Sequence, residues 1–328
     1  MKHTHLIFLG LIFISSTAIL TGLVSGSVNI DIQQLWYLLT ESNSPGLSAL
    51  IMELRLPRVL SAFAVGGLLS VSGVLMQVLL RNPLAEPYIL GSSGGAAVAA
   101  LLAMSFGLGA FWVDTAAFTG ALCATFLVFG IASSSGNWGP SQLILTGVVL
   151  ASGFSAVTTM ILAISSEQNI RGMLFWMMGD LSFAYSPQHL LWLLIIIVLI
   201  TMAAARYLDI LSRGELQASI LGIRVNIFRI AIFSITALAT ALSVTAVGVI
   251  GFVGLVVPHT VRLIVGNKHR FVVPASAMLG GSLLVISDTL ARTILAPRQL
   301  PVGAITALIG VPLFLILMQK SIAKINSA

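Results

Sequence analysis

The sequence has very little charge. Only 8% of its 328 residues are Asp, Glu, Lys or Arg, whereas 58% are hydrophobic, and the mean hydropathy is +1.06. A soluble domain of this size could not keep so much apolar surface away from water. The shortage of charge therefore indicates an integral membrane protein. The formal net charge of +6 does not point to nucleic acid, because Lys and Arg in membrane proteins mainly mark the cytoplasmic loops.

Sequence patterns typical of redox chemistry, nucleotide binding and metal binding are also missing. The single cysteine, Cys123, lies in an apolar run and cannot form an internal disulfide, so redox chemistry is not indicated. A glycine-rich stretch ends at Gly95, but Ala96 follows instead of the Lys and Ser or Thr of a nucleotide-binding loop. His259 has no second His or Cys at ligand spacing. We therefore expect no enzyme activity, no metal and no cofactor in this chain.

Uncharged runs long enough to cross a bilayer, about 20 residues each, recur along the chain. There are nine, at 6–24, 59–80, 88–112, 115–136, 141–166, 187–205, 230–261, 271–287 and 299–319. The seventh run is too long for one crossing, and its glycines between 248 and 254 and its Pro258 favour a break followed by a shorter helix near 255–265. The sequence predicts an all-α polytopic membrane protein with about ten transmembrane helices in a single domain, residues 1–328.

Charge placement predicts the orientation of these spans. Ten crossings return both termini to one side, and both ends are basic, with Lys2 at the start and Lys320 and Lys324 at the end. With both termini in the cytoplasm, eleven of the 16 Lys and Arg residues lie inside, as the positive-inside rule requires. The five that remain outside need an explanation of their own: Arg55, Arg58, Arg171, Arg292 and Arg298.

Four long segments carry a resemblance to a known family. They are LRLPRVLSAFAVGGLLSVSGVLMQVLLRNPLAEPYILGSSGGAA at 54–97, GELQASILGI at 214–223, GFVGLVVPHTVRLIVGNKHRFVVPASAMLGGSLLVISDTLAR at 251–292 and LPVGAITALIGVPLF at 300–314. They contain, in order, the motifs NPLAEP, VPHxxR, SDTLAR and LPVGxxTAxxGxPxF. The chain resembles the permeases of ABC importers for ferric siderophores, haem and cobalamin, the FecCD/BtuC type.

This resemblance implies an architecture and a set of partners. It implies the type II ABC importer permease fold in the bacterial inner membrane, with a second copy of the chain, two cytoplasmic ABC ATPase subunits and a periplasmic substrate-binding protein. ATP hydrolysis would then belong to the partner ATPase. The expected cargo is a ferric siderophore or cobalamin, with haem as the alternative, and no residue of the chain chooses among them.

The loop at 206–229 is the most charged part of the chain, and within it Leu216, Ile220 and Ile223 recur at helical spacing. Such an apolar face indicates either a docking site for a partner or a helix lying in the membrane interface. The resemblance favours docking, because the matching GExxAxxLG segment forms the family's ATPase-coupling helices. The residues of that segment are Gly214, Glu215, Ala218, Leu221 and Gly222.

The resemblance also gives three of the outer arginines a role. It implies that Arg55, Arg58 and Arg292 receive acidic residues from the two lobes of the binding protein. The alternatives are contacts with lipid headgroups or local ion pairs, such as Glu53 with Arg55 or Asp288 with Arg292, and exposed pairs of that kind contribute little.

The fifth span, 141–166, resembles the span that lines the channel at the interface of two copies. Its Ser, Thr and Gly content suits either a pore wall or close helix packing. The loop at 138–142 resembles the inner gate, and the segment 169–187 resembles a short helix at the outer mouth, although an interfacial helix explains that segment equally well. The candidate pathway and gate residues are Ser141, Gln142, Thr146, Ser152, Trp176, Gly179 and Asp180.

An ion-coupled carrier is the rival interpretation. Such a carrier would place ionisable groups near the middle of the membrane. Asp288 is the candidate in this sequence, and Arg292, one helical turn later, can pair with it.

Overall fold

The computed structural model describes residues 2–26, 45–134, 139–182, 184 and 187–326. The helices are α1 (Lys2–Val24), α2 (Pro45–Ala49), a π-helical segment (Leu50–Arg55) that continues into α3 (Leu56–Leu79), a 3₁₀ turn (Pro87–Leu90), α4 (Ser92–Ser105), α5 (Ala110–Ser133), α6 (Pro140–Ile164), α7 (Glu167–Met177), α8 (Pro187–Ala203), α9 (Ala205–Leu211), α10 (Glu215–Ile220), α11 (Val225–Val247), α12 (Val253–Val265), α13 (His269–Thr293) and α14 (Val302–Asn326).

Seven helical stretches in the described residues are long and apolar enough to cross a membrane: α1, α3 with its π-helical start, α5, α6, α11, α13 and α14. Helices α8 and α9 meet the same criteria only as a pair, bent by 63° at their junction, and together they supply at most one further crossing. The helices α4 and α12 are apolar but only 14 and 13 residues long, about 21 and 20 Å. The predicted count of about ten transmembrane helices is confirmed.

The predicted break within 230–261 is also confirmed. Helix α11 ends at Val247, and Gly248 has a φ of 73°. A Cβ on Gly248 would lie 2.1 Å from the carbonyl oxygen of Trp176, so both the backbone conformation and the space require glycine. Side chains from a second interrupted segment, the 3₁₀ turn and the residues before it between α3 and α4, accept hydrogen bonds from the exposed backbone of the break. Ile250 N–H donates to the Tyr88 hydroxyl at 3.4 Å and Phe252 N–H donates to Glu86 Oε1 at 2.8 Å.

Two predicted boundaries are wrong. The run at 88–112 contains the end of one helix and the start of the next, because the chain turns at 106–109, where Gly107 has a φ of 67°. Asp114 lies within α5 instead of marking the turn. The run at 271–287 is too short, since α13 continues to Thr293 through Asp288 and Arg292. These two charges can lie inside a membrane helix because they are paired.

Helix α3 forms the centre of the bundle. Of its most apolar stretch, 89% is buried, and α8, α11, α12 and α13 pack around it. Glycines bring the backbones close together at two levels. A Cβ on Gly66 would lie 2.2 Å from the carbonyl oxygen of Gly280 in α13, and one on Gly73 would lie 1.9 Å from that of Gly254 in α12. Since lipid offers no hydrophobic force between helices, such close packing is a main source of their association.

Candidate functional site

The two ends of α3 carry two separate polar clusters. Arg58 lies in its first turn, and Arg81 lies two residues after its last residue, Leu79, so the two side chains start about 35 Å apart along the helix axis. We call the cluster around Arg58 the outer cluster (Arg55, Arg58, Asp288 and Arg292) and that around Arg81 the inner cluster (Arg81, Glu215 and Arg229). The outer cluster contains three of the five arginines predicted to lie outside, and the inner cluster contains the predicted coupling residue Glu215.

Asp288 is the centre of the outer cluster. Arg58 donates from Nε to both carboxylate oxygens, at 3.1 and 3.0 Å, and from Nη2 to Oδ1 at 2.7 Å. Arg292 Nε lies 3.0 Å from Oδ2, so the predicted pair between Asp288 and Arg292 is confirmed. The carboxylate is only 1% exposed. Arg58 is a partner that the sequence analysis missed, because it lies 230 residues away.

The arginines of the outer cluster also close the end of α1. Arg55 Nη1 donates to the carbonyls of Leu23 and Val24, at 2.7 and 2.8 Å. Arg292 Nη2 donates to the carbonyl of Gly22 at 3.1 Å. The last carbonyls of a helix have no partner within the helix, and a cation is favoured there by the helix dipole. These carbonyls were not among the partners that the sequence suggested for Arg55.

A cavity of about 260 Å³ opens beside this cluster. The described residues that line it include Arg55, Arg58 and Arg292, together with Ser182 and Gln299, and none of the described lining residues is acidic. Arg58 Nη1 also donates to the hydroxyl of Ser182 at 3.4 Å, which in turn donates to Gln299 Oε1 at 3.3 Å. The cavity is therefore a polar recess whose charged groups are guanidinium groups, and it suits an incoming carboxylate.

The segment predicted at the outer mouth forms the short helix α7 and a tight turn. Asp180 N–H donates to the carbonyl of Val247 at 2.8 Å, and the carbonyl of Gly179 accepts from Val302 N–H at 3.2 Å. Gly179 has a φ of 81° and is buried, whereas Trp176 is half-buried. These contacts join the turn to the end of α11 and the start of α14. That these residues lie near the substrate exit stays a prediction, and residues 183, 185 and 186 lie outside the described residues.

Glu215 joins two helix ends in the inner cluster. Its Oε2 lies 3.3 Å from Arg229 Nη1 of α11, and its Oε1 lies 3.6 Å from Arg81 Nη2. Arg229 is only 4% exposed, so this ion pair is partly shielded from solvent. Glu215 is the first residue of α10, where a negative charge is also favoured by the helix dipole.

Helix α10 has one buried face and one exposed apolar face. Ala218 is completely buried and fixes the helix to the bundle, whereas Leu216 and Ile220 are each 76% exposed and Leu221 is 65% exposed. The two predicted glycines bound the helix, with φ of 133° at Gly214 and 78° at Gly222, and both conformations favour glycine. The side chains of Leu216, Ile220 and Leu221 thus point away from the bundle, as a docking surface requires.

The predicted position of Ile223 on this face is wrong. Helix α10 ends at Ile220, and Ile223 follows the turn at Gly222 and packs, partly buried, against the core. The helical spacing fails because the helix is only six residues long. A groove of about 530 Å³ lies beside the helix, lined by residues including Leu216, Ser219 and Ile227.

The predicted channel-lining span is α6, and it is the least buried of the seven long stretches. Only 17% of its most apolar stretch is buried. Ser141, Gln142 and Ser152 are exposed and Thr146 is half-buried. The Ser152 hydroxyl donates to the carbonyl of Val148 at 3.0 Å, so it presents a polar but satisfied surface. Trp138, part of the predicted gate, lies outside the described residues.

The rival carrier would need a free carboxylate, and Asp288 does not supply one. It lies in the last turns of α13 and is held by Arg58 and Arg292. His259 stacks edge-on against Phe314 at 6.5 Å. In the described part of the chain, no group of three or more His, Cys, Asp or Glu side chains could hold a metal ion.

Comparison with known proteins gives a consistent result. The FecCD transport family model matches residues 11–320. The chain is 40% identical to the cobalamin import system permease protein BtuC of Halobacterium salinarum, over 82% of this chain and 73% of that protein. It is 36% identical to the vitamin B12 import system permease protein BtuC of Escherichia coli, over 88% and 89%. It is 35% identical to the hemin transport system permease protein HmuU of Yersinia pestis, over 90% of both.

Two solved structures share its architecture. A metal-chelate type ABC transporter in an inward-facing conformation superposes with a TM-score of 0.84 at 30% identity, covering 96% of this chain and 99% of that chain. PsaBC from Streptococcus pneumoniae superposes with a TM-score of 0.58 at 17% identity, covering 86% of this chain and 94% of that chain, which shows a likeness of fold alone.

The outer cluster predicts an order of stabilities. Asp288→Asn removes a buried charge that two half-buried arginines share, and we expect a loss of about 3 kcal/mol, as for other broken buried pairs. Arg58→Gln should cost less, because Asp288 keeps Arg292. Thermal unfolding of the purified protein in detergent measures both, with the exposed Asp114→Asn as the matched control. Equal midpoints for Asp288→Asn and Asp114→Asn would show that the cluster does not stabilise the fold.

Proposed function

The chain belongs to the FecCD transport family and has the type II ABC importer permease fold, and on this premise we propose that it moves a metal chelate of the cobalamin, ferric-siderophore or haem type across the bacterial inner membrane. Permeases of ABC importers work with ATPase subunits and a binding protein. The observation that carries the proposal is that one buried helix, α3, has the outer cluster at one end and the inner cluster, with α10 and its exposed apolar face, at the other.

The inner end is the proposed site of ATPase docking. The 206–229 loop is rich in arginine, which favours the cytoplasmic side. Leu216, Ile220 and Leu221 offer an apolar surface that would be buried by a partner, and Glu215 joins α10 to the end of α3 and the start of α11. Movement of the ATPase subunits on binding ATP would thus displace α10 together with the helices it is joined to, and the channel would open alternately to the two sides.

Uptake by living cells tests this assignment. Cells that lack the chain are complemented with it and offered radiolabelled cobalamin, ferric siderophore and haem in parallel, and we expect uptake of one of them to be restored. Leu216→Glu should abolish that uptake and prevent co-purification of the ATPase, because a charge is placed on the apolar contact. The variant must still reach the membrane.

Gln217→Glu is the matched control, since it adds the same charge at the neighbouring exposed position of α10. Unchanged uptake in Leu216→Glu cells, with no ATPase retained on purification, would rule out an importer permease. It would favour a carrier that works without an ATPase.

The outer cluster is the proposed site of binding-protein docking. The cavity beside it is lined by three arginines and, among its described lining residues, no carboxylate, so acidic side chains of a partner would enter a complementary field. Arg58 and Arg292 are better placed for this than Arg55, which is only 5% exposed and already donates to two carbonyls of α1. The ion pairs to Asp288 hold both guanidinium groups in position before the partner arrives.

Association kinetics test this docking site. Arg292→Gln leaves the ion pair between Arg58 and Asp288 intact but removes one positive charge from the cavity. We expect the binding protein to associate about tenfold more slowly at low salt, because electrostatic steering is weakened, and the difference should shrink as salt is raised. Surface plasmon resonance on the reconstituted permease measures the rate.

Arg298→Gln, at an exposed position outside the lining of the cavity, is the control for this measurement. Equal association rates for the two variants at low salt would exclude the cavity as the docking site.

A second copy of the chain is the proposed partner of α6. This helix exposes large apolar side chains such as Leu145 and Met160, but also Ser152, Ser155 and Thr159, which recur every three to four residues on its surface. A polar stripe facing lipid is energetically unfavourable, whereas a channel between two copies needs a polar wall that does not bind the cargo tightly. Two copies related by a twofold axis would place the two stripes opposite each other.

Cross-linking tests the twofold arrangement. In a Cys123→Ser background, Ser152→Cys should form a covalent dimer in native membranes with a bismaleimide long enough to span the channel, because two equivalent positions face each other across it. Leu199→Cys is the control, at an exposed apolar position of α8. Dimers formed by Leu199→Cys but not by Ser152→Cys would place the interface elsewhere.

A further inference from the structure

A second polar contact joins the loop at 206–229, which we call the coupling loop, to the bundle, and it lies outside both clusters. Asp209 Oδ1 accepts the backbone N–H of His269 at 2.9 Å and lies 2.6 Å from Nδ1 of the same residue. A ring that carries its proton on Nδ1 donates it to the carboxylate. His269 is only 2% exposed and is the first residue of α13. The carboxylate therefore both caps the first turn of α13 and holds the side chain that starts it.

The helix that carries Asp209 leads directly into α10. Helix α9 begins at the 63° bend after α8, ends at Leu211, and is separated from α10 by three residues. Its apolar side, Leu208 and Leu211, is buried in the core. The coupling loop thus has a charged contact with the bundle on each side of its connecting turn: Asp209 before the turn, to α13, and Glu215 after it, to α3 and α11.

The helix reached by Asp209 continues to the outer cluster. From His269 to Asp288, α13 spans about 29 Å. Midway it packs against α3 through Gly66 and Gly280, where no room is left for a side chain. At its far end Asp288 is bound to Arg58 of α3. Helices α3 and α13 are therefore joined to each other near the middle and at the outer end, and each is joined to the coupling loop at the inner end.

We propose that Asp209 and His269 are positioning residues that transmit movement of the coupling loop to α13, so that the two docking ends of the permease move as one frame. This inference rests on the proposed function. With the contact intact, a displacement of α10 moves the inner ends of α3 and α13 together. Without it, the Glu215 contacts are the charged contacts that remain between the described residues of the loop and the bundle. A displacement of α10 would then move α3 and α11 but not α13. ATP hydrolysis would then continue with less transport for each ATP used.

The test uses the whole importer, with ATPase and binding protein, in proteoliposomes. Asp209→Ala and His269→Ala should each retain the ATPase and its basal hydrolysis, but lower the cargo transported per ATP hydrolysed by about tenfold, within the usual range of coupling between sites. The double variant should be no worse than either single variant, because both remove the same contact. Asp209→Asn, which keeps an oxygen to accept from His269, should restore most of the ratio.

Asp114→Ala and His189→Ala are the matched controls, since they make the same substitutions at exposed positions. An unchanged transport-to-hydrolysis ratio in both single variants would overturn the inference, and so would additive losses in the double variant. Should Asp209→Ala fail to accumulate, His269→Ala measures the same contact from its other side. Absence of ATP-dependent uptake by the unaltered complex would instead count against the proposed function.

Discussion

Arg58 and Asp288 form the ion pair on which the packing of α1, α3 and α13 at the outer cluster depends. It joins α3 to α13, and through Arg292 and Arg55 the same group of charges closes the carbonyl end of α1. A single buried charge near a membrane is costly, so each member of the cluster needs the others. Because these groups come from three separate parts of the chain, the end of α1, the start of α3 and the end of α13, the cluster can form only when these three helices have packed together.

The interrupted helices show the same requirement that buried polar groups have partners. Where α11 ends and α12 begins, backbone N–H groups are exposed inside an apolar bundle, and Glu86 and Tyr88 from the other interrupted segment accept them. A break in a membrane helix is tolerated only where protein groups replace the lost hydrogen bonds. The two interrupted segments therefore support each other, and α12 is held against α3 both by this contact and by the approach of Gly73 to Gly254.

For a permease, these constraints have a mechanical consequence. The central helices are fixed to one another by ion pairs and glycine contacts, whereas α10 shows its apolar side chains to solvent and α6 is mostly unburied within one chain. The closely packed helices thus carry the two proposed docking sites, and the surfaces left open are those that the proposed partners and a proposed second copy would cover. A permease powered by a separate ATPase needs both closely packed helices and exposed partner surfaces. A movement imposed at one end of the bundle must reach the other end without being absorbed by deformation of the helices between them.

The sequence alone predicted the membrane class, the number of spans within the described residues, the break after Val247 and the family, because hydropathy, glycine and proline placement and long motifs are local properties of the chain. It also predicted the pair of Asp288 with Arg292, since those residues are one helical turn apart. It misplaced Ile223 and the turn after α4, because helix ends depend on a few backbone angles that composition does not fix. The folded structure was needed to show that Arg58 completes the pair, that Arg55 caps α1 and that Asp209 meets His269. Those contacts join residues that are far apart in the chain, and their free energy appears only once the helices have packed.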